Sequence, residues 1–324
     1  MRRFVDLHTH SVASDGQLSP AEVVRLADRG QLAALALTDH DTVEGLAEAA
    51  AAAAEFPDLL FIPGIEVSAK FAGGTMHILG LGIDAKSPEL GRMCEELRAA
   101  RRDRNPRMIA RLNELGFALT MDDVLQAAAD MAVAENPAEM GTGTFFANNN
   151  DAKKEPIPIS GEKGASPHFP PKQVVGRVHI AEAMRRKRYV SSAQDAFDRY
   201  LGDGKPAHVD KERLTPQPVI AAIRQAGGVA ALAHPPLLHY ANRAQFERIL
   251  RDLIHSGLNG LEVYHTDNDR EQTRLYLDYA LRFGLTATGG SDYHGPSKPQ
   301  SRIGYPRVPV AAIGEDVLRR LARK

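Results

Sequence analysis

Two histidines and a carboxylate follow the first apolar run of this chain. The run at residues 4–7 leads into His8 and His10, and Asp15 comes five residues later. Because the side chains of a strand alternate between its two faces, His8 and His10 share one face. Imidazole and carboxylate groups are typical ligands of zinc, manganese and ferrous iron. The opening stretch therefore predicts part of a metal site.

Each later apolar run also carries a metal-binding residue type at or near one end. Taken alone, His77 is more often a core residue, Asp15 a turn residue and Asp39 a helix cap. Glu66 and Asp292 differ, because an unpaired carboxylate is costly to bury at the end of an apolar run. The set exceeds the ligands of one ion and favours two or three ions with a bridging carboxylate. The candidate metal ligands are His8, His10, Asp15, His40, Glu66, His77, His234, Asp292 and His294.

Seven apolar stretches predict buried parallel strands, and helical segments separate many of them. The residues 19–22, for example, combine an N-cap serine, a proline at N1 and a glutamate at N3. Strands that alternate with helices predict an α/β fold, and seven of them favour a barrel. Since the carboxyl ends of barrel strands converge on one rim, we expect the candidate ligands to meet in one pocket. The strand stretches are 4–8, 32–40, 59–67, 75–83, 228–235, 260–265 and 285–294.

The middle of the chain interrupts this alternation. Residues 87–218 are helical or irregular in pattern, which predicts a helical cap subdomain inserted into a barrel formed by 1–86 and 219–324. Within the insertion, residues 131–172 are rich in Gly, Pro, Asn and Lys and lack periodicity. A segment of that length without periodicity is expected to be mobile.

The composition and charge limit the classes of function that this chain can have. With 324 residues, 43% hydrophobic and 25% charged, the chain can bury a full core. A net charge of -1 offers no field that would attract duplex DNA or an anionic membrane. The single cysteine, Cys94, excludes a disulfide framework and favours a cytoplasmic protein. An anionic substrate must therefore be held by local positive charge or by metal.

The ordered motifs HTH…D, TDHDT, GIEVS, MHILG, ALAHP and GSDYHG resemble those of the polymerase and histidinol phosphatase (PHP) family of the amidohydrolase superfamily. The resemblance covers the chain apart from roughly 131–172. It implies a distorted (β/α)7 barrel with three divalent ions, most often Mn²⁺, with Zn²⁺, Fe²⁺ and Mg²⁺ as alternatives. It also implies the distribution of ligands: His8, His10, Glu66 and Asp292 for one ion; Glu66, His77 and His234 for a second; Asp15, His40 and His294 for the third.

Within that family, other stretches are most similar to the bacterial group of nucleoside 3′,5′-bisphosphate phosphatases and 5′–3′ exoribonucleases. They are SDGQLSPAEVVRLA, RAARRDRNPRMIARLNELG, VGRVHIAEAM, AGGVAALAHP and GLEVYHTDN. The resemblance implies hydrolysis of the 3′-phosphate of a bisphosphonucleotide by a metal-bridging hydroxide. The alternatives are a 5′–3′ exoribonuclease on short 5′-phosphorylated RNA, a histidinol-phosphate-type phosphatase, or a non-catalytic, metal-stabilised nucleotide-binding module. The expected partner is a small nucleotide or a short oligonucleotide, with neither duplex DNA nor a membrane.

An arginine-rich helix supplies candidate phosphate contacts, because the planar guanidinium fork suits phosphate. A solvated basic face is the alternative for these arginines. The resemblance implies that Arg177 and His179 face the scissile phosphate or the sugar, and it adds Glu66 and Asp292 as catalytic residues. The candidate substrate contacts are Arg101, Arg102, Arg104, Arg177, His179, Lys205 and His265.

Overall fold

The structure is a computed structural model that describes residues 2–133, 174–210, 213–296 and 301–323. From residue 134 onward, the segment predicted to be mobile lies outside the described residues. The described helices include none that is long and apolar enough to cross a membrane.

One sheet of eight strands forms the centre of the described chain, in the order β7-β6-β5-β4-β3-β2-β1-β8. The backbone N–H of Leu7 donates to the carbonyl of Gly289 at 3.0 Å, and Thr9 pairs with Tyr293, so the ends of β1 and β7 meet. The predicted α/β barrel is therefore confirmed. The strands are β1 (Phe4–Asp6), β2 (Ala34–Leu37), β3 (Leu60–Ala69), β4 (Met76–Leu81), β5 (Val229–Leu232), β6 (Gly260–His265), β7 (Thr286–Gly290) and β8 (Val308–Pro309).

The direction of β4 corrects the prediction of an entirely parallel sheet. β4 pairs antiparallel with both β3 and β5. Only residues 70–75 separate β3 from β4, which leaves no room for a crossover helix. The start of β4 consequently lies beside the end of β3, where Ser68 pairs with His77. This reversal explains why His77 stands near the start of its strand while the other strand ligands stand near the ends.

The helices lie between the strands and in the insertion. The predicted start of α1 is confirmed: Glu22 N–H donates to Ser19 Oγ at 3.2 Å, and Ser19 N–H donates to the Glu22 carboxylate at 2.8 Å. The helices are α1 (Pro20–Arg29), α2 (Leu46–Ala53), α3 (Pro88–Glu114), α4 (Met121–Val133), α5 (Arg177–Arg186), α6 (Ala193–Ala196), α7 (Pro216–Gln225), α8 (Arg243–His255), α9 (Arg270–Phe283), α10 (Val310–Ile313) and α11 (Glu315–Leu321).

The long helix α3 belongs to two hydrophobic cores. Its first half, with Leu90 and Leu97, packs in the core between the barrel and its outer helices. Its second half, with Met108 and Leu112, packs with α4 and α5 in a separate core of the cap. Pro106 lies inside the helix between these halves. Arg101, Arg102 and Arg104 lie on α3 between the part that packs in the barrel core and the part that packs in the second core.

Candidate metal centre

All nine candidate ligands lie at one rim of the barrel, where β1, β2, β3, β5 and β7 end and where β4 begins. His40 forms a parallel bridge with Glu66, and Thr9 forms one with Tyr293, so the loops after β2 and β7 continue the sheet into the rim. Residues separated by hundreds of positions in the sequence are therefore neighbours.

Glu66 is the centre of the group, and each of its two carboxylate oxygens faces a different set of imidazoles. Oε1 lies 2.8 Å from His77 Nδ1 and 2.9 Å from His234 Nε2. The two imidazole nitrogens are themselves 3.1 Å apart. These three atoms form a compact donor set of the kind that one ion requires.

The second oxygen of Glu66 faces the ligands that follow β1. Oε2 lies 3.3 Å from His8 Nε2 and 3.2 Å from His10 Nε2. Asp292 Oδ1 approaches the same two nitrogens at 3.4 and 3.2 Å. His8, His10, Glu66 and Asp292 thus offer four donor atoms within 4.8 Å of one another.

A third set lies around Asp15. Its carboxylate is 3.8 Å from His40 Nε2 and 3.3 Å from His294 Nε2. His10 Nδ1 lies 3.9 Å from the same carboxylate, but a neutral imidazole has one lone pair, and His10 Nε2 already faces Glu66 and Asp292. The geometry accordingly groups the donors in three sets, two of which share Glu66.

The buried polar atoms of the rim show whether these residues fit metal ions. Buried donors and acceptors nearly always have a hydrogen-bond partner, yet several atoms here have none among the described residues. Nitrogen and oxygen donors without thiolates suit Mn²⁺, Zn²⁺ and Fe²⁺, and divalent ions would satisfy these atoms together. The residues therefore fit a metal centre. The unpartnered atoms that face the donor sets are His8 Nε2, His10 Nε2, His40 Nδ1 and Glu66 Oε2.

The electrostatics of the rim also indicate a site for positive charge. Burial opposes ionisation of Glu66, but the imidazoles of His40 and His77 outweigh it and hold the pKa of Glu66 well below its usual value. Burial likewise opposes a charge on His10, but Asp292 and Glu66 raise the pKa of His10 to about 10. In the metal-free chain, protons supply the positive charge that the carboxylates require.

The backbone is strained at the rim. Asp292 has a φ of 52°, Asp41 has 57° and His234 has 23°, all in the region that favours glycine. Such conformations persist where the surrounding structure enforces them, and they cluster at functional sites. In this conformation Asp292 Oδ1 lies 3.4 Å from His8 Nε2 and 3.2 Å from His10 Nε2.

Further buried carboxylates hold the segments that carry the ligands. Asp39 accepts hydrogen bonds from Ser11 N–H at 2.8 Å, from Ser11 Oγ–H at 2.7 Å and from Ser14 Oγ–H at 2.6 Å. Of the roles that the sequence leaves open for Asp39, the structure shows neither a helix cap nor a ligand but an anchor for the turn between His10 and Asp15.

Asp6 and Glu262 do not follow from the sequence reasoning. Asp6 accepts hydrogen bonds from the backbone N–H groups of Ser291 at 2.9 Å and Gly304 at 2.7 Å, and it thereby holds the loop that carries Asp292. Glu262 contacts His8 at 2.9 Å. One signal could have identified both residues: each is a carboxylate inside an otherwise apolar strand.

The three arginines of α3 have different surroundings. Arg101 Nε donates to Asp41 Oδ2 at 3.0 Å, beside the loop of His40. Arg104 is 5% exposed, and its Nε and Nη2 donate to Asn105 at 3.1 and 2.7 Å. Arg102 has a side chain that is 65% exposed and pairs with Glu95. Arg102 therefore fits the alternative to a phosphate contact, which is an arginine on a solvated basic face.

The remaining candidate substrate contacts, in the inserted segment and on β6, also have different surroundings. Arg177 donates to Asp203 at 2.9 Å and to the carbonyl of Leu201 at 3.2 Å, and Lys205 is exposed nearby. His179 is buried, and its Nδ1 accepts a hydrogen bond of 2.9 Å from Gly176 N–H. His265 is buried behind His8, with ring centroids 6.1 Å apart.

The metal content of two variants tests the sharing of Glu66. We expect Glu66→Gln to lose more than one ion, because both of its oxygens face imidazole sets, and Asp15→Asn to lose about one ion per chain. Elemental analysis after gel filtration measures the content. Asp103→Asn, at a carboxylate that is 79% exposed, is the control and should retain full metal. Equal losses in the first two variants would contradict the sharing.

The buried imidazole of His179 predicts a pH dependence of stability. Burial lowers the pKa of His179 from 6.5 to about 4 in the folded chain. As the pH falls below 6.5, the unfolded chain binds the proton first, so the folded state loses stability until the pH passes about 4. We expect metal-free wild type to lose about 2 kcal/mol more than His179→Gln between pH 7 and 4.5, in urea unfolding. The exposed His255→Gln is the control, and parallel pH slopes for wild type and His179→Gln would refute the prediction.

Known proteins match this chain over nearly its whole length. Residues 6–135 match the PHP domain family. A 3′,5′-nucleoside bisphosphate phosphatase of Chromobacterium violaceum is 32% identical over 301 residues, which are 93% of this chain and 90% of that protein. A 5′–3′ exoribonuclease of Haemophilus influenzae is 31% identical over 297 residues, which are 91% of this chain and 92% of that protein.

A solved structure agrees with these relatives. It is a Bifidobacterium adolescentis protein assigned as a metal-dependent phosphoesterase, with 30% identity, a TM-score of 0.76 and coverage of 98% of this chain and 96% of that one. The family resemblance inferred from the ligand motifs is thereby confirmed. On these grounds the chain belongs to the PHP domain family of metal-dependent phosphoesterases.

Proposed function

We propose that this enzyme removes the 3′-phosphate of nucleoside 3′,5′-bisphosphates, such as adenosine 3′,5′-bisphosphate, and yields the 5′-monophosphate. The proposed centre holds three divalent ions, most suitably Mn²⁺, on the nine rim ligands. The observation that carries the proposal is a second site for negative charge beside the rim, formed around Arg104. A substrate with two phosphates would use both sites.

Arg104 is a buried cation that forms no ion pair with the described residues. No carboxylate of a described residue lies within 4.0 Å of its guanidinium, and the side chain donates to the neutral amide of Asn105. Burial and the charges of Arg101, Arg177 and Arg213 lower the pKa of Arg104 to about 9. An uncompensated buried charge is costly. A phosphate bound there would offset that cost.

Arg101 connects the arginine group, which comprises Arg101, Arg104, Arg177 and Arg213, to the metal rim. Its guanidinium donates to Asp41, which also accepts from Ser68 N–H at 3.0 Å through its other oxygen. Asp41 N–H in turn donates to the carbonyl of Glu66 at 2.8 Å. Arg101 is therefore held beside the ligands, and a phosphate bound next to it could be recognised together with one at the rim.

Ions bound at the rim would supply Lewis-acid charge for the phosphoryl oxygens and would lower the pKa of a bound water. The chain itself supplies binding and orientation. Since His179 Nδ1 accepts from Gly176, the neutral ring carries its proton on Nε2. The low pKa of His179 favours a role as hydrogen-bond donor to a phosphate or sugar oxygen rather than as a proton donor.

The second candidate is a 5′–3′ exoribonuclease that acts on short 5′-phosphorylated RNA. Cleavage after the first nucleotide breaks an ester at the same 3′-oxygen, and the arginine group would hold the same 5′-phosphate. The Haemophilus influenzae relative carries that name. Membership of a phosphoesterase family favours an enzyme over the non-catalytic nucleotide-binding module.

A substrate panel tests the proposed function. We expect kcat/KM for adenosine 3′,5′-bisphosphate to exceed that for histidinol phosphate by at least about tenfold, because only the former offers charge to both sites. Phosphate release and chromatography of the nucleotide product provide the measurement. Equal turnover of the two compounds would contradict the proposal. Faster release of nucleotides from 5′-phosphorylated RNA would favour the second candidate.

A pair of arginine variants tests the second site. We expect Arg104→Met to lower kcat/KM for the bisphosphate by about 10- to 100-fold, which corresponds to one lost charge-assisted hydrogen bond. Turnover of p-nitrophenyl phosphate, which has a single phosphate, should change little. Arg102→Met, on the exposed face of the same helix, is the matched control and should behave like wild type. Equal losses on both substrates would remove Arg104 from the phosphate site.

A further inference from the structure

A buried carboxylate that is not among the nine ligands lies directly behind His8. Glu262, on β6, is fully buried, and its Oε1 is 2.9 Å from His8 Nδ1. Its Oε2 accepts a hydrogen bond of 2.6 Å from the backbone N–H of His234. Glu262 therefore contacts two segments, after β1 and after β5, that each carry a proposed metal ligand.

The proton position on His8 follows from its two ring nitrogens. Nε2 faces the donor set, at 3.3 Å from Glu66 and 3.4 Å from Asp292. A neutral imidazole has a single lone pair in the plane of its ring. If Nε2 uses that lone pair for an ion, Nδ1 carries the proton, and Glu262 is its acceptor.

We propose that Glu262 is a positioning residue of the metal centre. It fixes His8 as the Nδ1–H tautomer, and through its other oxygen it holds the His234 backbone in place. A carboxylate that holds the second nitrogen of a metal-ligating histidine orients the ring and raises its basicity. The inference rests on the proposed metal centre and not on the proposed substrate.

His265 is consistent with a supporting role for this group. Its Nδ1 accepts a hydrogen bond of 3.1 Å from Asp267 N–H, so the neutral ring carries its proton on Nε2. One donor atom each of His8, Glu262 and His265 lies within 4.8 Å of the others. A separate ion in this position would require a second lone pair on His8, which the ring lacks. We therefore assign His8 and Glu262 to a hydrogen bond with each other and not to another metal site.

The test uses a substitution that changes the acceptors of Glu262 and little else. A carboxylate accepts at both oxygens, whereas an amide accepts at one, so Glu262→Gln must lose one of the two bonds. Asp6→Asn is the matched control, because Asp6, the last residue of β1, is also a buried carboxylate, and its hydrogen bonds among the described residues come from backbone N–H groups. Manganese-loaded proteins are titrated with a chelator, and retained manganese is measured by elemental analysis.

We expect Glu262→Gln to weaken manganese affinity by about 10- to 100-fold, and Asp6→Asn to weaken it by a clearly smaller factor. Nitrogen-15 spectra of histidine-labelled protein should show His8 protonated on Nδ1 in wild type and a mixture of tautomers in Glu262→Gln. A purely structural role for Glu262 would leave that tautomer unchanged. Should Glu262→Gln fail to fold, Glu262→Asp keeps both acceptor oxygens and is expected to show an intermediate affinity.

Several results would overturn the assignment. One is a manganese affinity equal to that of wild type in Glu262→Gln or, where that variant does not fold, in Glu262→Asp. Another is a loss of manganese affinity in Asp6→Asn that is as large as the loss in Glu262→Gln. Loss of one ion at saturating manganese, with unchanged affinity for the others, would indicate a separate ion and would also overturn it. A wild-type chain that retains no manganese would refute the metal centre itself, an outcome distinct from the failure of the Glu262 assignment.

Discussion

A buried negative charge at Glu66 determines the arrangement of the rim. A carboxylate without exposure to water requires positive charge or hydrogen bonds on both oxygens, and Glu66 receives imidazole nitrogens on each. Those imidazoles come from segments after β1, β2 and β5 and from the start of β4. Any change in how these segments meet would leave the carboxylate without compensation. The barrel and the donor sets consequently depend on each other: the sheet brings the imidazoles together, and the charge at the centre favours the one arrangement in which they surround it.

The supporting residues extend this dependence outward. Asp39 fixes the turn that leads from His10 to Asp15, and Asp6 fixes the loop of Asp292. Each of these carboxylates accepts from N–H or O–H groups of a segment that carries a ligand. Burial raises the pKa of both groups, and their hydrogen bonds oppose that rise. The rim is therefore organised as an inner group of donors around Glu66 and an outer group of acceptors that hold the backbone behind them.

Much of this arrangement is accessible from the sequence, and the remainder has identifiable physical causes. The strand stretches and the ligand types at their ends predict the barrel and its rim, because the period of a strand and the polarity of a parallel sheet are local properties. The direction of β4 depends on the short connection at residues 70–75, and the seven stretches alone do not reveal it. Arg102 and Arg104 are two positions apart on one helix, and only the packing of the cap decides which is buried. Glu262 stands out as a carboxylate in the apolar strand β6, but the sequence does not reveal that its partner is His8.

The helix α3 connects the barrel core to the cap core, and Pro106 interrupts its hydrogen bonding between them. A proline has no N–H, so the carbonyl of Arg102 lacks the bond that residue 106 would otherwise donate. Helix α3 is therefore easiest to bend in the turn that carries Arg104. Bending of α3 at that turn would change the separation between the arginine group and the metal rim. Under the proposed function, the range of spacings between the two phosphates of a substrate would depend on the stiffness of that single helical turn.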